Sequence, residues 1–215
     1  EEAKLLGYKN YAEYVLAERM AENPAKVEDF LNQLHQASRP FAEKEFKEVE
    51  NFAKGLGFKD KLQRWDWSYY SEKLKNASYK FDEQQVKPYF QLEKVREGVF
   101  ELAHRMYGLT FKENKNIPVY HPDVTAYDVF DKDGSFLSVL YLDFFPREGK
   151  NGGAWMNDLR PESHVNGKSI RPLITVVANF TKPTATKPSL LTFYEVSTFL
   201  HEFGHALHVA KWMKI

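Results

Sequence analysis

The length, composition and charge of the chain fit one domain, or a sizeable part of a larger one, with a hydrophobic core. Its 215 residues are 43% hydrophobic and 28% charged, which excludes intrinsic disorder. Lys and Arg (30) balance Asp and Glu (30), so we expect no nucleic-acid partner held by a general basic field. There is no cysteine, which excludes disulfides, thiolate metal sites and a Cys nucleophile and fits a cytoplasmic location. No apolar run approaches the roughly 18 residues of a membrane-spanning helix, so no membrane contact is expected.

Residues 1–110 have the apolar spacing of successive helices. Asn10 is a good N-cap for a helix that extends to Met20, and Asn23 and Pro24 end that helix and begin the next. From Pro24 onward a stripe of apolar residues keeps a helical period, and we interpret it as core packing. The stripe consists of Val27, Phe30, Leu31, Leu34, Phe41, Val49, Phe52 and Leu56.

Two predicted helix breakers and a second apolar stripe occur in the rest of residues 1–110. Pro40 should kink or break the first long helix, and Gly55 should end it. A short aromatic segment follows at residues 65–70. Another helix is predicted after Pro88, with its stop at Gly108. Its stripe consists of Leu92, Val95, Val99, Leu102 and Met106.

Residues 117–180 change to β-branched and aromatic runs, which are typical of a small sheet. Asp133-Gly134 is a strong hairpin signal. Strands are predicted at residues 119–120, 126–130, 136–145 and 173–180. The sequence therefore predicts an α+β fold that is mainly α with a small antiparallel sheet, followed by a final helix at residues 189–210.

The final helix contains a metal-binding pattern, His201-Glu202-Phe203-Gly204-His205. Two histidines four residues apart project from the same face of a helix, so both imidazoles can reach one ion. Glu202 lies beside the first histidine, where it can polarise a metal-bound water without ligating the metal. This is the H-E-x-x-H pattern of zinc peptidases.

The surrounding residues indicate a real amphipathic helix. Thr192 and Glu195 have the spacing of a capping box. Gly204 costs a helix interior about 1 kcal/mol relative to Ala, which a close approach by another backbone or a substrate would explain. The predicted buried stripe consists of Val196, Leu200, Phe203 and Leu207.

Less specific interpretations of these histidines stay open. His205 can be a core histidine and His201 a surface one, with Glu202 in a helix salt bridge. His208 lies about 60° away from the pair around the helix, so we expect it to support the site rather than to ligate. Four further histidines lack metal-ligand spacing and are interpreted as ordinary residues: His35, His104, His121 and His164.

Residues 199–208 resemble the signature helix of the M3 family of zinc metallopeptidases, the thimet oligopeptidase group, in its peptidyl-dipeptidase and oligopeptidase A branch. Further segments resemble this family in the family's own order, at residues 6–12, 65–70, 87–90, 119–124, 143–147, 153–156 and 177–180. The resemblance implies a mostly helical, zincin-like peptidase with a deep channel that admits short peptides. It also implies that His201 and His205 are zinc ligands and that Glu202 is the general base.

The resemblance further implies a substrate-binding segment. Residues 153–156 resemble the segment that lies along bound peptide in the family, which makes Gly153, Ala154 and Trp155 candidate substrate-binding residues. A neighbouring strand can hold a peptide by backbone hydrogen bonds, as in strand addition. An equally open interpretation is a structural turn with a buried Trp.

Three groups that the family supplies do not occur in this sequence. They are a Glu that serves as third zinc ligand and a downstream Tyr and His that stabilise the transition state. We therefore expect residues 1–215 to be part of a single catalytic domain that is inactive without its C-terminal part and exposes an apolar patch. Two other classes stay open, a non-catalytic peptide-binding module and a helical structural domain with a coincidental motif.

Overall fold

The computed structural model describes residues 1–80 and 83–211, and the chain divides into two compact units, Glu1–Phe81 and Asp82–Ile215. The first unit is helical. It contains α1 (Glu2–Leu5), α2 (Tyr11–Leu16), α3 (Pro24–Gly55) and α4 (Arg64–Tyr79). Within the described residues, no helix is both long enough and apolar enough to cross a membrane.

Asparagine caps begin α2 and α3, as the sequence predicts. The side chain of Asn10 accepts a hydrogen bond from the backbone N–H of Glu13 at 2.9 Å, and Asn23 accepts one from Lys26 at 3.0 Å. Helix α2 ends at Leu16 and does not reach Met20. Because Met20 is 98% exposed, no packing stabilises a further turn there.

Helix α3 corrects two expectations. It continues through Pro40 over 32 residues, because a proline removes one backbone hydrogen bond and the remaining turns keep theirs. Val49 is buried in a small core with Ala53 and Leu62. The core-packing interpretation is wrong for Phe30, Leu31, Leu34, Phe41 and Leu56, which are exposed. Periodicity identifies an apolar face but does not show what covers it.

The second unit contains two helices and seven strands. Two short 3₁₀ turns, Glu83–Gln85 and Lys87–Tyr89, precede α5 (Leu92–Tyr107), which ends at Gly108 with a φ of 75° as predicted. The strands are β1 (Thr110–Glu113), β2 (Thr125–Phe130), β3 (Phe136–Asp143), β4 (Trp155–Arg160), β5 (Ser163–Val165), β6 (Lys168–Ile170) and β7 (Leu173–Val177). The last element is α6 (Phe193–Lys211).

The α+β class is confirmed, but the main sheet is mixed. Its strand order is β1-β2-β3-β7-β4, and β5 and β6 form a separate two-stranded sheet. The predicted hairpin joins β2 to β3 through Gly134. The pair β3–β7 is parallel, whereas β4 and β7 are antiparallel: β4 follows β3 in the chain, and β7 then inserts between β3 and β4. This leaves β4 as an edge strand.

Several strand predictions differ from the structure. Residues 119–120 form no strand, and the hydroxyl of Tyr120 instead donates a hydrogen bond to Asp143 at 3.0 Å. Strands β1, β4, β5 and β6 were not predicted. In β4, Asn157, Asp158 and Arg160 lack the apolar alternation of a half-buried strand. An edge strand with exposed polar residues has a weak sequence signal.

The core of the second unit lies between the main sheet and its two helices. Phe199 and Phe203 of α6 are 1% and 3% exposed and pack with Leu142 and Ile174 of the sheet. The burial of one such side chain contributes roughly 1.5–3 kcal/mol. This packing fixes the rotation of α6 about its own axis relative to the sheet. It therefore decides which side chains lie on the exposed face of the helix.

Candidate active site

The capping box at the start of α6 is confirmed. The carboxylate of Glu195 accepts hydrogen bonds from the backbone N–H of Thr192 at 2.7 Å and from its hydroxyl at 3.0 Å. In return, the backbone N–H of Glu195 donates to the Thr192 hydroxyl at 3.1 Å. These bonds satisfy N–H groups that a helix start otherwise leaves unpaired. These bonds therefore stabilise the first turn of α6, which precedes the two histidines.

The buried face of α6 differs from the predicted stripe. Leu200 is 39% exposed, and the buried residues are Phe199, Phe203, Ala206, Val209 and Ala210. The sequence offers adjacent apolar residues at 199 and 200, and the contact with the sheet selects the first. His201 and His205 then lie roughly 120–160° around the helix from Phe199, on the exposed side.

The imidazoles of His201 and His205 meet on this exposed face. Their Nε2 atoms are 3.1 Å apart, and the ring centroids are 4.8 Å apart. Two nitrogens that ligate one tetrahedral zinc ion at 2.0–2.1 Å are separated by about 3.3 Å. The pair therefore fits one ion. Across residues 1–80 and 83–211, no group of three or more His, Asp or Glu side chains has metal-binding geometry.

Glu202 adjoins this pair as the following residue of α6. It is half-buried, whereas both histidines are exposed. On a helix its side chain lies about 100° from His201 and about 60° from His205. The side chain of Glu202 therefore leaves the helix beside the histidine pair, but in a different direction from either imidazole.

The other histidines stay apart from the pair. Seven residues are nearly two helical turns, so His208 lies about 20° from His201 around the axis but about 10.5 Å along it. From His205 it lies about 60° around the axis and about 4.5 Å along it, so angle and axial distance together separate His208 from the pair. His104 Nδ1 lies 3.0 Å from the carbonyl oxygen of Leu109, and His121 Nδ1 accepts the backbone N–H of Asp123. His35 and His164 are exposed on α3 and β5.

A cleft of about 200 Å³ lies between the start of β4 and the first turns of α6. Gly153 and Ala154 line one side, and Tyr194 and Thr198 line the other. Thr198 lies about 60° from His201 and about 20° from His205 around the helix, so the cleft leads onto the histidine face. The side chain of Trp155 lies on the opposite face of the sheet, because its neighbours Ala154 and Met156 pack against the core.

Sequence reasoning missed a buried ionic network at the end of β3. The carboxylate of Asp143 is 2% exposed and receives both Nη atoms of Arg147 at 2.7 and 2.9 Å and Nζ of Lys150 at 2.9 Å. Burial raises the pKa of Asp143, but the hydrogen bonds from its basic partners and Tyr120 outweigh burial and lower the pKa below its ordinary value. The available signal was an acidic residue at a strand end followed by Arg and Lys four and seven residues later.

We expect Asp143→Asn to lower the free energy of unfolding of this chain by about 3–5 kcal/mol at pH 7, because it leaves the Lys150 ammonium buried without its counter-ion. Since the pKa of Asp143 is lower in the folded chain, the stabilisation is complete above its unfolded value of about 3.9 and is lost as the pH falls through the folded value. The difference between wild type and variant should therefore shrink below pH 4. Urea unfolding from pH 7 to pH 3 measures this.

The matched control is Asp123→Asn, which breaks the more exposed ion pair with Lys182. Its cost should stay below about 1 kcal/mol. Equal costs for the two variants would contradict a special contribution from the buried network.

Fold and site together define the metallopeptidase class, because a helix that offers two histidines to one ion and a glutamate beside them is the arrangement of H-E-x-x-H enzymes. The chain belongs to peptidase family M3, whose family model matches residues 1–210. This membership confirms the resemblance seen in the sequence.

Curated relatives of the chain have peptidase names. The chain is 44% identical to oligopeptidase A of Escherichia coli over 97% of its own length and 31% of the relative. It is 42% identical to dipeptidyl carboxypeptidase of Salmonella typhimurium over 96% and 30%, respectively. It is 40% identical to a probable cytosolic oligopeptidase A of Arabidopsis thaliana over 96% and 30%. The chain thus spans about a third of the length of these relatives.

Proposed function

We propose that this chain supplies the metal-binding helix and one wall of the peptide site of a zinc-dependent oligopeptidase. The observation that carries the proposal is the pair of Nε2 atoms 3.1 Å apart on the exposed face of α6, with Glu202 beside them. Membership in family M3 and the peptidase names of the relatives support it. A cytoplasmic location is part of the proposal, supported by the relative named probable cytosolic oligopeptidase A.

In this proposal His201 and His205 hold zinc through Nε2, and the remaining protein ligand comes from outside residues 1–215. When bound, zinc polarises the scissile carbonyl and makes a water more acidic. A carboxylate oxygen of Glu202 accepts the proton of the attacking water and later delivers it to the nitrogen of the leaving amine. Glu202 is adjacent to the histidine pair but leaves the helix in a different direction from the two imidazoles. This position suits a base rather than a ligand.

The peptide is proposed to lie along the outer edge of β4. One edge of β4 pairs with β7, and no described residue pairs with its other edge in the main sheet. An extended peptide can add to such an edge through backbone hydrogen bonds. Gly153 and Ala154 line the cleft that leads to the histidine face, whereas Trp155 contributes its backbone. Recognition through the backbone favours short, unfolded peptides of varied sequence.

The test compares hydrolysis of a quenched fluorescent peptide by residues 1–215 alone and by the protein completed with its C-terminal part, each with added zinc. We expect little or no activity from residues 1–215 alone, because two imidazoles hold zinc weakly and each missing oxyanion donor costs about 2.7–4 kcal/mol. The completed protein should hydrolyse the peptide, and a chelator should stop it.

Two outcomes would contradict the proposal. Robust chelator-sensitive turnover by residues 1–215 alone would mean that the third ligand lies inside them. Peptide binding without chelator-sensitive hydrolysis in the completed protein would instead favour the peptide-binding module.

A further inference from the structure

The loop of residues 144–154, which joins β3 to β4, is fixed to the sheet by side chains at several points along its length. The first point is Arg147, whose guanidinium makes two hydrogen bonds with the carboxylate of Asp143. A paired contact of this kind defines orientation as well as distance. The start of the loop is therefore held to the last residue of β3.

The second point is Lys150, whose side chain is 4% exposed. Besides the carboxylate of Asp143, its Nζ contacts three backbone carbonyl oxygens, those of Asp143 at 3.0 Å, Phe145 at 2.8 Å and Ala178 at 2.6 Å. An ammonium group has three protons, so these four acceptors saturate it. Ala178 directly follows β7, and Lys150 therefore ties the middle of the loop to the ends of β3 and β7.

The third point is Asn179, the residue after Ala178. Its side-chain amide donates to the carbonyl oxygens of Asn151 at 2.9 Å and Gly153 at 2.8 Å. Gly153 has a φ of 93°, a conformation that a residue with a Cβ rarely adopts. Asn179 therefore holds the last turn of the loop in the form that leads into β4.

These contacts converge on the segment proposed to bind peptide. Gly153 is both the residue whose carbonyl Asn179 holds and a residue that lines the cleft beside α6. Asn179 also lines this cleft, whereas Lys150 does not, and neither residue is on the helix that carries the histidines. Their contacts order the loop before any peptide arrives, and ordering a loop in advance lowers the cost of binding.

We propose that Lys150 and Asn179 are positioning residues that preorganise the peptide-binding edge at Gly153 and Ala154. The inference rests on the proposed function and adds a specific mechanism to it. Loss of either contact leaves the histidine pair and Glu202 in place but lets the edge move. Substrate affinity should fall, whereas the rate of the chemical step should change little.

The test uses the complete protein that contains this chain. In a Glu202→Gln background, fluorescence anisotropy of a labelled short peptide measures its Kd without turnover. Asn179→Ala and Lys150→Met should each raise the Kd by about 10-fold. With Glu202 intact, the same substitutions should raise KM by about 10-fold and change kcat by less than about 2-fold. Zinc content should stay the same.

Two further substitutions separate positioning from general stability. Asn179→Asp keeps the shape of the side chain but replaces the donor by an acceptor facing two carbonyl oxygens, so it should raise KM as Asn179→Ala does. The matched control is Arg171→Met, which breaks the buried ion pair with Glu162 before β7, at the opposite end of that strand from Ala178. It should lower thermal stability and leave KM and Kd unchanged.

The possible failures are distinct. If the complete protein hydrolyses peptide but Asn179→Ala and Lys150→Met leave Kd and KM unchanged, the inference is wrong and the proposed function stands. A fall in kcat at constant KM, shared with Arg171→Met, would show a merely structural role. If Lys150→Met does not fold, the half-buried Asn179 decides the question. If the unaltered protein neither binds nor cleaves peptide, the proposed function fails and the inference fails with it.

Discussion

Glu202→Gln is expected to abolish peptide hydrolysis in the completed protein while zinc stays bound. Glutamine keeps the shape of the side chain, but its amide cannot accept the proton of the attacking water. The loss in kcat should reach or exceed the roughly 10²–10⁴-fold ascribed to general-base catalysis. Since Glu202 is not a zinc ligand in this proposal, metal analysis should give the wild-type zinc content.

The control is Glu101→Gln, which removes an exposed carboxylate from α5 and should change neither quantity. Glu202→Asp, which keeps the base but shortens it by one methylene, should give an intermediate rate. Turnover by Glu202→Gln near the wild-type rate would remove Glu202 from the proposed role.

His201→Ala and His205→Ala should each strip zinc from the completed protein. Their Nε2 atoms are 3.1 Å apart, so loss of either removes one of the two nitrogens that converge on a single ion. Zinc affinity should fall by more than the roughly 10–100-fold that removal of an outer partner of a ligand costs. Measured zinc per protein after dialysis, together with competition by a chelator, tests this.

His208→Ala is the matched control on the same helix. His208 lies about 10.5 Å along the axis from His201, which is too far for one ion to be ligated by both. Zinc content should therefore be nearly unchanged. Equal zinc loss in all three variants would show that the ion sits nearer the C-terminal end of α6 than proposed.

Local sequence signals predicted the elements whose causes lie within a few residues. Asn10, Asn23 and the pair Thr192/Glu195 begin helices because their side chains bond to backbone groups three residues away. Gly108 ends α5 because it adopts a positive φ. In the same way, a spacing of four residues on a helix was sufficient to bring His201 and His205 together.

The sequence alone did not predict features that depend on which surfaces meet. Apolar residues occur at both positions 199 and 200, and contact with the sheet buries Phe199 and leaves Leu200 exposed. The stripe on α3 has the period of a buried face, yet Phe30 and Phe41 are exposed. Periodicity is a property of one element, whereas burial is a property of a pair of elements.

By itself, then, the sequence determined that His201, Glu202 and His205 lie on one helix with both histidines on the same face, since the capping box and the four-residue spacing are local. Only the tertiary structure decided that β7 inserts between β3 and β4, which makes β4 an edge strand. It alone revealed that Lys150 contacts Ala178, which is 28 residues away in the chain. Contacts over such distances form when hydrophobic burial has assembled the sheet, and no short sequence pattern encodes them.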